Sequence, residues 1–98
     1  MTVFVVQAIK GGTFKGADRF GDLNIIFEVE HQVVISAIPT LRKLNEALEN
    51  FSNDDFLLLS GDPILFGLAT TVAANKNNGQ IRFLIWSKID KAHYEVKL

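Results

Sequence analysis

The chain has 98 residues, 48% of them hydrophobic, with ten basic and eleven acidic side chains and a formal net charge of −1. That length makes one small domain, and the near-balanced charge gives no long-range field toward DNA, RNA or an anionic membrane, which argues against a dedicated nucleic-acid binder. Cysteine is absent, so disulfides, thiolate chemistry and sulfur-built metal sites are excluded.

Met1-Thr2-Val3-Phe4-Val5-Val6 has no basic lead and is too short for a signal peptide. No apolar run approaches the roughly 20 residues needed to cross a bilayer. The expectation is a soluble, intracellular protein with no membrane partner.

Val3 to Gln7 is a β-branched run and reads as a first strand. The following segment, Ala8 to Asp22, contains Gly11, Gly12, Gly16 and Gly21 and is as long as connections in compact domains normally become. Phe14 and Phe20 lie in it, and their apolar rings predict that it folds back on the body or onto a partner subunit. Leu23 to Val29 reads as a second strand, with Leu23, Ile25, Phe27 and Val29 on one face. Glu30-His31-Gln32 interrupts, and Val33-Val34-Ile35 is a short extension or a bridge to the next helix.

Pro39 opens that helix. Ile38, Leu41, Leu44, Leu48 and Phe51 recur every three or four residues and define its inner stripe, with Arg42, Lys43, Glu46 and Glu49 outside. Ser52-Asn53-Asp54-Asp55 then turns the chain; its two carboxylates are a possible metal pair by composition, but a turn is the simpler reading.

Phe56-Leu57-Leu58-Leu59-Ser60 is an almost unbroken apolar run, which predicts a strand covered on both faces. Asp62-Pro63 supplies a helix start: the carboxylate accepts from orphan N–H groups, and proline at the first helical position loses no hydrogen bond. Leu65, Leu68, Ala69, Val72 and Ala73 form the stripe of this second helix, and Ile64, Phe66 and Gly67 widen it, predicting burial on more than one side. Asn77-Asn78-Gly79 ends it with a left-handed residue. Ile81 to Trp86 is the next strand, and Ser87 to Ala92 joins it to a last one, His93 to Leu98, as a hairpin. Glu95 and Lys97 suit a protected edge.

The order β-β-α-β-α-β-β specifies an α/β fold with a small mixed sheet of about five strands, two helices, central parallel βαβ units and a C-terminal hairpin, in a single domain over residues 1–98. A mean hydropathy of +0.19 is high for so short a chain. It predicts an apolar patch closed by a second copy, most simply a two-fold dimer, against the alternative of a tightly filled monomer. Trp86 is expected as a packing anchor, at the hairpin or at that interface with Phe14 and Phe20.

Two stretches have the chemistry of a binding edge. Ser60-Gly61-Asp62-Pro63 falls at the carboxyl end of a central strand and the amino end of a helix, where open α/β sheets hold ligands and where free N–H groups favour anions. Ser60 offers a hydroxyl and Gly61 a close approach, whereas Asp62 brings its own negative charge and is also an ordinary cap. No P-loop or dinucleotide fingerprint accompanies them. In the glycine-rich segment, Lys15 and Arg19, with Lys10, stand among Phe14 and Phe20, a mixture that holds nucleotides by charge and stacking. Asp18 and Asp22 leave that segment only slightly positive. His31 and His93 are isolated in sequence, with no acid or nucleophile beside them, so no catalytic residue and no metal or cofactor is expected.

Asp54-Asp55-Phe56-Leu57-Leu58-Leu59-Ser60-Gly61-Asp62-Pro63, Asn77-Asn78-Gly79, Arg82-Phe83-Leu84-Ile85-Trp86 and the closing Tyr94-Glu95-Val96, preceded by Phe20-Gly21-Asp22-Leu23, resemble a family of small uncharacterised proteins from tailed bacteriophages. The family pattern is a D-Y/F-L-x-x-x-G-D-P turn, an N-x-G helix end and an L-x-W strand end. The likeness covers residues 20–98; Ser87 departs from the family's acidic residue after the tryptophan, and the loop from Lys10 to Ala17 is shorter. The resemblance implies a phage origin and an infected host's cytoplasm, without a reaction. Together with the residues, it leads to the expectation of a non-enzymatic, self-associating protein that binds a host protein or a small anionic ligand, such as a nucleotide signal in antiviral defence. The alternatives are a nucleotide- or phosphate-ester-processing enzyme with a site shared between subunits, and a structural or assembly protein.

Overall fold

The computed structural model describes residues 1–10, 14–30 and 37–98; His31 and the Val33-Val34-Ile35 run lie outside them. Five strands form one sheet: β1 (Thr2–Gln7), β2 (Asp22–Phe27), β3 (Phe56–Leu58), β4 (Arg82–Ser87) and β5 (Ala92–Lys97), in the spatial order β2-β1-β3-β4-β5. The first four run parallel, and β5 returns antiparallel to β4 with Trp86 opposite His93. Helix α1 (Ala37–Ala47) joins β2 to β3, and α2 (Pro63–Lys76) joins β3 to β4.

This order divides the coverage of the sheet. The step from β1 to β2 moves one way across the sheet, while the steps from β2 to β3 and from β3 to β4 move the other way. Crossovers of one hand must then lie on opposite faces. On the first face Leu44 and Leu48 from the α1 region and Leu65, Ala69, Val72 and Ala73 from α2 pack over Phe4, Val6 and Leu57. On the second, no long helix covers the sheet among the described residues. Val3, Val5, Phe56, Leu58 and Leu84 are instead roofed by the β1–β2 connection, through buried Ala17 and half-buried Phe14 and Phe20. Phe20 meets Phe56 edge-on, with ring centroids 5.5 Å apart. Phe14, Ala17 and Phe20 of the glycine-rich segment thus fold onto the chain's own body.

β3 is sealed above and below, as its unbroken apolar run predicts: Phe56, Leu57 and Leu58 are all buried. The Asp55 carboxylate ties the turn before it to β1, accepting from Thr2 N at 3.0 Å and from Ser52 N at 3.0 Å. Asp62 caps α2 by accepting from Ile64 N at 2.8 Å, with Pro63 following. At the other end Asn78 takes a left-handed φ of 55° and Gly79 N–H reaches back to Ala74 O at 2.8 Å, closing the helix in the manner of a Schellman motif.

The helices differ from the periodicity in three respects. Pro39 is the third residue of α1 rather than its opener, and α1 ends at Ala47, so Leu48 and Phe51 are buried from the turn beyond it. Ile38 and Leu41, placed on the inner stripe, lie outside it, Ile38 being 72% exposed. In α2, Ile64 and Gly67 face water, so that helix buries one side and not more. Ile38, Leu41, Ile64 and Gly67 all lie in the amino-terminal halves of their helices, on faces left open to water.

Candidate functional site

Because β1, β3 and β4 are parallel, their carboxyl ends share one edge, and the order reverses between β1 and β3. That crevice is where ligands enter open sheets. Here Gln7 fills it. Its Oε1 accepts from Asp62 N at 2.8 Å and its Nε2 donates to Glu28 O at 2.9 Å, so one side chain joins the start of α2 to the end of β2. Ser60 Oγ donates to Gln7 O at 2.6 Å and accepts from Gln7 N at 3.3 Å. The amino end of α2 is therefore occupied by the chain's own groups: Asp62 N–H is paired, Pro63 has none and Ile64 N–H is capped.

The open space lies beside this plug, on the second face. A cleft of about 870 Å³ runs over the carboxyl ends of β3 and β4, between Ile9, Phe14 and Lys15 of the connection and Leu58 to Gly61, Phe66, Trp86, Lys88 and His93. A smaller cavity of about 270 Å³ adjoins it, bounded by Lys15, Gly16, Arg19, Trp86, Lys91, Ala92 and His93. Lys15, Trp86 and His93 belong to both walls. Lys15, Arg19, Lys88 and Lys91 thus converge on one edge, and among the described residues no carboxylate lines either space. Asp18, next to Arg19, and Asp90, bonded to Ser87 in the turn between Lys88 and Lys91, stand behind these walls and offset part of that charge.

Trp86 is 48% exposed and presents its ring between the two spaces. It is fixed edge-to-face against His93, with centroids 5.1 Å apart. His93 itself is only 8% exposed, and its Nδ1 is buried with no hydrogen-bond partner. A Cβ built on Gly16 would stand 4.0 Å from that Nδ1, so the nitrogen is turned toward the wall of the smaller cavity. Burial, and then the positive charge of Arg19, lowers the His93 pKa below the ordinary imidazole value. Arg19 is held in place with its guanidinium 5.0 Å from the centre of the Phe20 ring.

Of the residues singled out from sequence, Ser60, Gly61, Lys15, Phe14 and Trp86 line the large cleft, and Arg19 lines the small one. Asp62 lies in neither wall and acts as a cap, the Ser60 hydroxyl is committed to Gln7, and Phe20 packs on Phe56. Sequence reasoning missed Lys88, Lys91, Phe66 and the placement of His93. One signal pointed to the first two: the turn after β4 must emerge at the same edge as the turn after β3, because the strands are parallel. Among the described residues no three His, Cys, Asp or Glu side chains come together as a metal-binding group.

A family model described as Phage Pam3 gp32-like protein matches residues 1–98. The chain belongs to that family. The phage family expected from the Asp55–Pro63, Asn77–Gly79 and Leu84–Trp86 motifs is thus a finding at the level of a phage protein family. No curated protein and no solved structure matches the chain.

Proposed function

We propose that this phage-family protein is a non-enzymatic binding protein of the infected host's cytoplasm, which takes a small anion bearing a flat apolar group, a nucleotide in the simplest case. The observation that carries this reading is the convergence of Lys15, Arg19, Lys88 and Lys91 around Trp86, with no carboxylate among the described residues of the walls. Cations fix the anionic part, and Phe14, Phe66 and Trp86 supply faces on which a ring stacks. Self-association is part of the reading: Leu23 and Ile25 on β2 and Tyr94 and Val96 on β5 leave apolar surface in water at both edges of the sheet.

A thermal-shift screen of nucleotides and inorganic anions tests the cleft, since a ligand at about 100 times its dissociation constant adds ~2.7 kcal/mol to stability. For a domain of this size that raises the melting temperature by roughly 10 °C or more. No shift with any anion overturns the ligand reading in favour of a host-protein target or an assembly role. Sedimentation that shows only monomer at high concentration overturns self-association.

A second reading, an enzyme acting on a phosphate ester, is favoured by one feature: the imidazole of His93, with its Nδ1 buried and unpaired, in a wall with three cations. Turnover of any nucleotide by the purified protein, abolished in His93→Gln, would replace the binding reading with this one.

A further inference from the structure

We infer that the two adjoining spaces divide one ligand between them: a nucleoside monophosphate seats its phosphate in the small cavity among Lys15, Arg19, Lys91 and His93, and lays its base in the large cleft against Trp86. This rests on the anion-binding reading above and adds the ligand class and its direction.

The volumes separate the roles. Sites for drug-sized ligands run from about 300 to 1,000 Å³, so the large cleft at about 870 Å³ accommodates a base and sugar. The small cavity, about 270 Å³, suits a compact group. Chemistry separates them in the same sense. The small cavity has three cations and only one aromatic ring besides the imidazole, while the large one adds Ile9, Phe14, Leu58, Leu59 and Phe66. A phosphate dianion matches the first wall and a base the second. Trp86, common to both, stands where the ester linkage passes between them.

His93 lies in the wall of the small cavity. Its Nδ1 is buried without a partner, a cost that proteins seldom leave standing. Its Nδ1 faces Gly16, with Arg19, Lys15 and Lys91 around the same cavity, Trp86 across the ring's edge, and no carboxylate among the described lining residues. A phosphate among these cations lies over the wall that covers the ring, and its negative charge offsets the positive charge of Arg19.

The test is calorimetric titration of the full chain with the four ribonucleoside 5′-monophosphates, with adenosine and with inorganic phosphate. At least one monophosphate is expected to bind, and inorganic phosphate to displace it competitively. Arg19→Gln and, separately, Lys91→Gln are expected to weaken monophosphate and phosphate by about tenfold or more while leaving the nucleoside unchanged. Trp86→Leu is expected to do the reverse, weakening nucleoside and monophosphate but not phosphate. Lys91 is exposed on the hairpin, so its variant keeps the test valid if Arg19→Gln does not fold. A monophosphate that binds but is not displaced by phosphate, with Lys91→Gln unchanged, overturns this division of the ligand and leaves the binding reading intact. Failure of every probe to bind overturns both.

Discussion

Ser60 Oγ is bonded to both backbone polar groups of Gln7, donating to its carbonyl at 2.6 Å and accepting from its amide at 3.3 Å. The two residues are 53 positions apart, and both are buried. This bridge closes the crevice at which the sheet order reverses. Ser60→Ala removes the hydroxyl that bonds to both buried backbone groups, so the loss is expected at about 1–3 kcal/mol. Urea unfolding of the variant measures it; a change within experimental error would mean that water replaces the hydroxyl and that the crevice is wetter than the structure shows.

Gly61 is the next residue, with a φ of +85°. A Cβ there would lie 2.6 Å from Gln7 Cβ and overlap Gln7 Oε1 as well. Gly61→Ala therefore combines about 1–2 kcal/mol of left-handed strain with displacement of the Gln7 clamp. Gly67, on the open side of α2, has nothing near the position of a Cβ. Gly67→Ala is expected to stabilise by about 0.5–1 kcal/mol. Opposite shifts in melting temperature for two glycine-to-alanine changes six residues apart are the signature sought.

Asp62 separates the helix-cap role from ligand contact. Its carboxylate accepts from Ile64 N and lines neither space. Asp62→Ala should cost about 1 kcal/mol of stability while leaving the affinity for any bound anion unchanged. A loss of affinity without loss of stability would place Asp62 in the site after all.

His93 predicts a pH dependence of known sign. Its folded pKa lies below the ordinary 6.5, because of burial first and Arg19 second. Above about pH 6.5 the imidazole is neutral in both states, and its contribution is fully present. As pH falls, the unfolded chain takes up the proton first, and stability is lost until the folded pKa is passed. Thermal melts of the wild type should therefore decline through the imidazole range, and His93→Phe should flatten that decline. Glu95, whose pKa is lowered by its hydrogen bond to Arg82, acts in a separate window below its ordinary value of 4.5. Sulfate, which does not titrate in this range, is expected to bind more tightly as His93 gains its proton.

Local signals in the chain determined much of the architecture. The apolar run from Phe56 specified a strand with two covered faces, Asp62-Pro63 specified where α2 begins, and Asn78-Gly79 where it stops. Each rests on interactions within a few residues, so each is legible without knowing the rest of the fold. Periodicity also showed which side of a helix is apolar, but not how far its partner extends. Ile38, Leu41 and Ile64 therefore lie in water, although their spacing placed them inside.

The order β2-β1-β3-β4-β5 was decided only in the folded chain, because register between strands fifty residues apart has no local signature. The same order brought Lys15 and Arg19 to the turn containing Lys88 and Lys91. It set His93, isolated in sequence, against Gly16 and Trp86. It also filled the amino end of α2 with Gln7 and moved the open cleft to the neighbouring face. Propensity and capping act along the chain, and the sequence determines them directly; the electrostatics of a site depend on distances across the chain, which only tertiary packing sets.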